Sequence, residues 1–368
     1  MRYGPARRWA SRRCAPPALF FILALPAACA DVVTGLAQPG VSGPLHDEGA
    51  LPDRPFFHGV FLGDDESRPG IVGGAIADFR ERSGSAPALV KTFHTLDSDF
   101  SATGWAGRVA REIAASGSTN LIALDLRWAG APAEHLLSAV ARGAANDRLV
   151  RLARDLAGLG GLTLVEPAWE MNGDWSYPWQ GVTNGRGPDA ALRFVEAWRH
   201  VVDVFRENGA ANVRWVFSPN VGNPVAGRGA GAAHWNWYGH YYPGDAYVDY
   251  LGAHGFHAPT LRDTPYQDFG TLFDGEQADR LLSDLAGRFP GKPIIISEFA
   301  AEETPGRDKG SWIEAAFRHL HRQPAVIATV WFNMRKEADW RIESSASALA
   351  AYRAAVESPR ARTRFLEP

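Results

Sequence analysis

A (β/α)8 barrel is the fold this sequence predicts. Eight short apolar runs recur between residues 56 and 333, and amphipathic helical patterns fill the intervals. The runs are continuous rather than alternating, as in strands buried on both faces of a parallel sheet. A doubly wound sheet is the structural alternative, but no glycine-rich dinucleotide fingerprint follows the first run.

In chain order the runs are FFHGVFLG (56–63), ALVKTFH (88–94), NLIALDLRW (120–128), LTLVEPAW (162–169), VRWVFSPN (213–220), VDYLGAHGF (248–256), PIIISEF (293–299) and VIATVWFN (326–333). Each is rich in β-branched or aromatic residues, with a core of four to eight residues. Between them, residues 187–209 carry Pro188 near the start, apolar residues at helical spacing and Gly209 as a stop. Residues 277–291 show a similar helical pattern, and ASALAAYRAAVE near the C-terminus reads as the eighth helix. Active residues of such a barrel sit at C-terminal strand ends. The long segments after runs four and five, both crowded with aromatics, are therefore expected to shape a cleft.

The 368 residues are 46% hydrophobic, which excludes a disordered chain and allows one large domain or two ordinary ones. The first 29 residues hold five arginines and no acid, so the remainder carries 33 basic against 41 acidic residues, a net of −8. That balance argues against nucleic acid and anionic membrane surfaces as partners. The N-terminus has the pattern of an export signal over 1–30: a basic start, then ALFFILALP, too short to span a bilayer, then small residues. Ala28 and Ala30 form an ordinary cleavage site, and LPAAC resembles a lipoprotein box that would lipidate Cys29, the one route to membrane attachment. A linker is expected over 31–55 and the catalytic barrel over 56–368, exported to the periplasm or the outside. With only Cys14 and Cys29 in the chain, the barrel has no disulfide.

Few acids stand at strand ends. Run four ends in Glu170 and run seven in Glu298, on strands that face each other across an eight-stranded mouth. Hydrolysing a glycosidic bond needs one carboxylic acid to protonate the leaving oxygen and a second carboxylate to attack carbon or activate water. Glu166 and Asp125 lie deeper within their runs. A buried acid needs a partner, so Glu166 is expected to pair with Lys91 or Arg127. His94, His254 and His257 also stand at strand ends, but without H-E-x-x-H or a close pair they predict no metal. No nucleophile elbow, phosphate loop or cysteine nucleophile is present in the barrel, and no cofactor is expected.

EPAWEMNGDWSYPW resembles the acid/base segment of glycoside hydrolase family 26, usually R-P-x-H-E-M-N-G followed by aromatics. WVFSPNVGNP, YYPGDAYVDYLGAHGF and KPIIISEFAAEE resemble its fifth, sixth and seventh strand segments, so the resemblance runs from about Phe57 to Phe332. It implies a retaining endo-β-glycosidase with Glu170 as acid/base, Glu298 as nucleophile and carboxyls roughly 5–5.5 Å apart. Members are mostly β-mannanases, with some β-glucanases and β-xylanases. A β-1,4-linked polysaccharide, mannan first, is the implied substrate, and the protein is expected to be a monomer.

Three positions depart from the family. Glu166 stands for its arginine, Trp169 for the histidine before the acid, and Phe256 for a strand-six tyrosine that bonds the nucleophile. These put substrate preference in question and leave two other readings open. One is a β-1,3- or mixed-linkage glucanase or xylanase. The other is a carbohydrate-binding or exopolysaccharide-assembly protein that lost turnover. His257 or Tyr242 is the candidate to replace the missing tyrosine contact. Trp175 and Trp331 match the family's sugar-platform positions, where an indole plane stacks on a sugar's apolar face. His94, Trp128, Trp169, Asn220, Tyr242, Phe256 and His257 complete the candidate substrate-binding set.

Overall fold

The computed structural model describes residues 55–63, 71–225, 231–357, 361–362 and 364–365. The expected signal segment and, except for Pro55, the linker lie outside the described residues. All eight apolar runs form strands: β1 (Phe56–Phe61), β2 (Leu89–Thr95), β3 (Thr119–Asp125), β4 (Thr163–Pro167), β5 (Val213–Phe217), β6 (Tyr250–His257), β7 (Ile294–Ala301) and β8 (Val326–Phe332). Every neighbouring pair is parallel, and β1 pairs with both β2 and β8, so the sheet closes. A two-residue strand, β9 (Ala361–Arg362), adds to the start of β1.

Helices α1 (Ile71–Ser83) and α2 (Trp105–Ala115) follow β1 and β2. The pair α3 (Leu136–Ala141) and α4 (Asn146–Leu159) follows β3, and the long α5 (Pro188–Glu207) follows β4. Proline at the first turn of α5 suits a position whose N–H has no helical partner. Among the described residues no long helix directly follows β5. After β6 come α6 (Pro259–Arg262), α7 (Phe269–Asp274) and α8 (Leu281–Arg288). Helices α9 (Lys309–Arg322) and α10 (Ala346–Val356) close the outer ring, with Asp308 and Ser345 capping their first turns.

Side chains alternate along each strand, so odd and even residues have different fates. The floor of the barrel is apolar: Phe57, Leu89, Leu121, Leu164, Val216, Tyr250, Ile295 and Ala328 form one buried cluster. One layer up, the interior turns polar. Lys91, Glu166, Ser218 and Ser297 are buried there, and Ser218 and Ser297 bond to each other at 3.0 Å. Charge below the mouth of a barrel is costly without a partner, which marks this layer as the base of a site.

Candidate active site

Glu170 sits on a turn, not on β4 itself. Ala168 and Glu170 have φ of 49° and 53°, a left-handed backbone that L-residues adopt at a cost of about 1–3 kcal/mol each. Hydrogen bonds hold them there. The Ala168 amide donates to the Leu124 carbonyl at 3.0 Å, and the Glu170 amide donates to the Ser218 carbonyl at 2.8 Å. The Gln180 side chain donates to the Glu170 carbonyl at 3.0 Å. Asn172 clamps the turn to the end of β5, donating to the carbonyls of Asn220 and Gly222 and accepting from the Asn220 amide.

Glu298 reaches the interior by an irregularity in β7. Ser297 already faces inward, bonded to Ser218, and pairing with β8 shifts register between Ile296 and Phe299. The shift lets Glu298 face inward as well, while Phe299 returns to the helix side against Trp312 and Trp331. Such bulges re-aim a side chain next to many active sites.

The two carboxylates meet around His254. Its Nδ1 lies 3.2 Å from Glu170 Oε1 and 4.0 Å from Glu298 Oε2, so those two oxygens are within about 7 Å, the most that both distances allow. That bound lies inside the range of glycosidase carboxylate pairs. On its other side His254 Nε2 is 2.9 Å from Glu166 Oε1. Lys91 Nζ contacts Glu166 at 2.7 Å, Glu298 at 2.8 Å and the Ser297 carbonyl at 3.1 Å. Of the two partners expected for Glu166, Lys91 is the one; Arg127 pairs with Asp125.

Burial opposes the charges of Glu166, Lys91 and His254, and their partners win. Glu166 is held well below the carboxylate range by Lys91 and His254 against its own desolvation. Lys91 is raised because Glu166 and Glu298 outweigh its burial. Burial and Lys91 push His254 down, but Glu166 and Glu298 raise it to about 9. Among the described residues no group of three or more His, Cys, Asp or Glu side chains is arranged to hold a metal ion. The ammonium of Lys91 lies between Glu166 and Glu298 instead.

Above the cluster the mouth carries an aromatic arc. Phe61 packs on Phe93 and Phe332, Phe332 on Phe256, and Phe256 on Trp340, with centroids 4.8–5.4 Å apart. Phe256 is half-buried in this arc. Trp175 is 39% exposed, and its indole N–H donates to Glu170 Oε2 at 2.7 Å. Trp128 is half-buried just past β3, and Asn220 is half-buried, its side-chain Nδ2 donating to the Val221 carbonyl.

Several expected binding residues face elsewhere. Trp331 is fully buried against Trp312 of α9 and Tyr352 of α10, and its N–H bonds the Trp340 carbonyl. It is not a sugar platform. Strand alternation points Phe332, its neighbour, into the barrel instead. The same alternation sends His94 outward against Phe100 and Trp105, and His257 outward onto Trp312. Tyr242 packs on Phe217 and Phe289 and spends its hydroxyl on Asp245. Neither His257 nor Tyr242 replaces the missing tyrosine contact; Lys91 touches Glu298. Trp169 is buried among Phe93, Tyr177 and Trp179, so it supports the cleft wall and leaves almost no free ring face.

Lys91 and His254 are the site residues that the sequence reading left out of the candidate set. The signal was present. Lys91, Glu166 and His254 fall on inward positions of otherwise apolar runs, where a charge is expensive unless used.

Comparison with known proteins agrees with this geometry. The glycosyl hydrolase family 26 model matches residues 146–320. Endoglucanase H of Acetivibrio thermocellus is 36% identical over 285 residues, which cover 77% of this chain and 29% of that protein. The chain thus spans under a third of the length of that relative. Among solved structures, the catalytic domain of the family 26 endo-β-1,4-mannanase of Bacillus sp. JAMB-750 superposes with a TM-score of 0.60 at 19% identity, over 84% of this chain and 87% of that one. The Bacillus subtilis mannanase BCman gives 0.57 at 19% identity, over 81% and 86%. The solved structures carry the fold, and the sequence matches carry the relationship. Residues 146–320 belong to glycosyl hydrolase family 26, and the barrel is the fold of solved members of that family.

Proposed function

We propose that the protein is an exported, retaining endo-β-glycosidase that cleaves a polysaccharide by double displacement. The observation that carries the hydrolase reading is the convergence of Glu170 and Glu298 on His254 at the C-terminal mouth of the barrel, with carboxylate oxygens within about 7 Å, and retention is what the family resemblance implies. Glu298, beside the Lys91 ammonium, attacks the anomeric carbon as the glycosidic bond breaks. Glu170 gives its proton to the departing oxygen. Water then attacks the glycosyl ester, gives a proton to Glu170 and frees Glu298. A degenerate binding protein would have no need of a buried acid on a strained turn facing a second buried carboxylate. Export is supported by the basic and then apolar N-terminal pattern.

Two backbones compete as substrate. β-1,4-Mannan is what the family resemblance implies. A β-glucan is favoured by two observations: the 36%-identical relative is named an endoglucanase, and Phe256 at the mouth, like Trp169 buried behind the cleft wall, stands where mannanase-like members carry a polar side chain. We place the weight on β-glucan. Product profiling on β-mannan, mixed-linkage β-glucan, cellulose derivatives and xylan decides between them, with Glu298→Ala as control. Oligosaccharides released from glucan by the wild type alone support the reading. A wild type as inert as the variant on every polymer ends the enzyme proposal. Azide added to Glu298→Ala and Glu170→Ala should give glycosyl azides of opposite anomeric configuration, the α form from the nucleophile variant, which tests the two roles directly.

A further inference from the structure

Resting on the assignment of Glu170 as acid/base, we propose that His254 shares the catalytic proton with Glu170, and that the buried Lys91–Glu166 pair sets His254 up for this role.

The protons around His254 are few enough to assign. Lys91 has three N–H protons and three oxygens in reach: Glu166 at 2.7 Å, Glu298 at 2.8 Å and the Ser297 carbonyl at 3.1 Å. Nζ also lies 3.2 Å from His254 Nε2 at hydrogen-bonding angles, so Lys91 and Glu166 both address that nitrogen. Glu166, held ionised, can only accept, and a lone pair on Nε2 would repel it at the shorter distance of 2.9 Å, so Nε2 carries a proton and donates it to Glu166 Oε1. The far nitrogen is thereby committed as a donor. The near one, Nδ1, faces Glu170 Oε1 at 3.2 Å with room for one proton between them. That proton lies either on the carboxyl, donated to Nδ1, or on the imidazolium, donated to the carboxylate.

The charged groups around His254 come from each element packed on it: Lys91 from β2, Glu166 from β4, Glu170 from the turn beyond it and Glu298 from β7. Arg262 of α6 adds a positive charge that acts on Glu170 from across the mouth. Glu166 and Glu298 favour a positive His254 and outweigh burial and Lys91, raising it to about 9. The pair therefore keeps its proton at neutral pH.

During glycosylation the shared proton goes to the leaving oxygen as the Glu298–carbon bond forms and the glycosidic bond breaks. His254 is then neutral, with an Nδ1 lone pair facing the Glu170 carboxylate. Two lone pairs at that distance repel, which strengthens Glu170 as a base toward the incoming water. The water proton returns to the pair when the ester is hydrolysed. His254 is a positioning residue here, because it acts on substrate only through Glu170.

His254→Asn keeps a polar group near the Nδ1 position and removes the titratable proton. On polysaccharide we expect kcat/KM to fall about 100-fold, with the alkaline limb of its pH profile moved down by about one unit or more. An aryl oligoglycoside whose leaving group needs no proton should lose less than about tenfold. Equal losses on both substrates, or an unmoved alkaline limb, would overturn the proposal. If His254→Asn does not fold, nitrogen-15 histidine spectra of wild type and Glu170→Gln answer instead. The imidazole that titrates near pH 9 should shift by about one unit in the variant, and an unchanged midpoint sinks the idea. That spectrum needs no turnover, so it still reads proton sharing if the wild type proves inert on every polymer.

Discussion

The indole N–H of Trp175 donates to Oε2 of Glu170 at 2.7 Å, joining the most exposed tryptophan of the mouth to a buried carboxylate. With His254 on Oε1, both oxygens of Glu170 have a partner before any substrate arrives. Trp175→Phe keeps a ring and deletes the donor. A hydrogen bond to a charged group contributes about 1.5–3 kcal/mol, so kcat should fall roughly 10- to 100-fold with a small change in KM. Trp175→Ala should raise KM as well. Steady-state kinetics on both variants separates the roles, and a Trp175→Phe effect confined to KM would leave Trp175 as a sugar platform alone.

Trp331 belongs to the interface between β8 and the outer helices. Trp331→Phe strands the Trp340 carbonyl without its donor. We expect a stability loss of about 1–3 kcal/mol, read by denaturant titration, and a KM within about twofold of wild type. A large rise in KM with unchanged stability would return Trp331 to the cleft.

Gly252 marks a place where the polar layer has no room. A Cβ there would lie 2.7 Å from Ser218 Cβ and 2.8 Å from Ser297 Oγ, between two side chains that bond to each other. Gly252→Ala should cost about 1–3 kcal/mol by overpacking, with a lowered melting temperature. Activity should fall too, because His254 lies two residues along the same strand. An unchanged melting temperature would show that this layer has slack.

Buried histidines make stability depend on acid. Burial lowers His58 to about 4, His94 to about 3 and His257 to about 4. Unfolded, each titrates at about 6.5, so between there and the folded values the unfolded chain binds more protons. Their contribution is therefore complete above about pH 6.5 and is lost as pH falls through about 4, at up to ~1.4 kcal/mol per unit for each group. Urea midpoints measured from pH 7 to pH 4 should fall, and His94→Phe, which fits against Phe100 and Trp105, should flatten the slope. A slope identical to wild type would mean that His94 is solvated in the native state.

Much of the fold was legible because strands buried on both faces write themselves as unbroken apolar runs. The eight runs all became strands, and residues 187–209 became α5 with both boundary residues acting as anticipated. Glu170 and Glu298 were legible because acids at the ends of strands four and seven are few. Facing was harder. His94, His257 and Trp331 all lie at strand ends, yet each turned toward the helices, since a shift of one residue exchanges cleft for outer ring. The β7 irregularity complicated this further by letting Ser297 and Glu298 face the interior in succession.

By itself, then, the sequence determined the barrel, the family and the two glutamates, because hydrophobic runs and short motifs are local properties of the chain. Only the tertiary structure decided what surrounds those glutamates. Lys91, Glu166, Glu170, His254 and Glu298 come from four strands and a turn, separated by up to 207 positions, and contact exists only once the barrel closes. The partner of a buried charge is set by distances of about 3 Å across that interior, and no spacing along the chain encodes them.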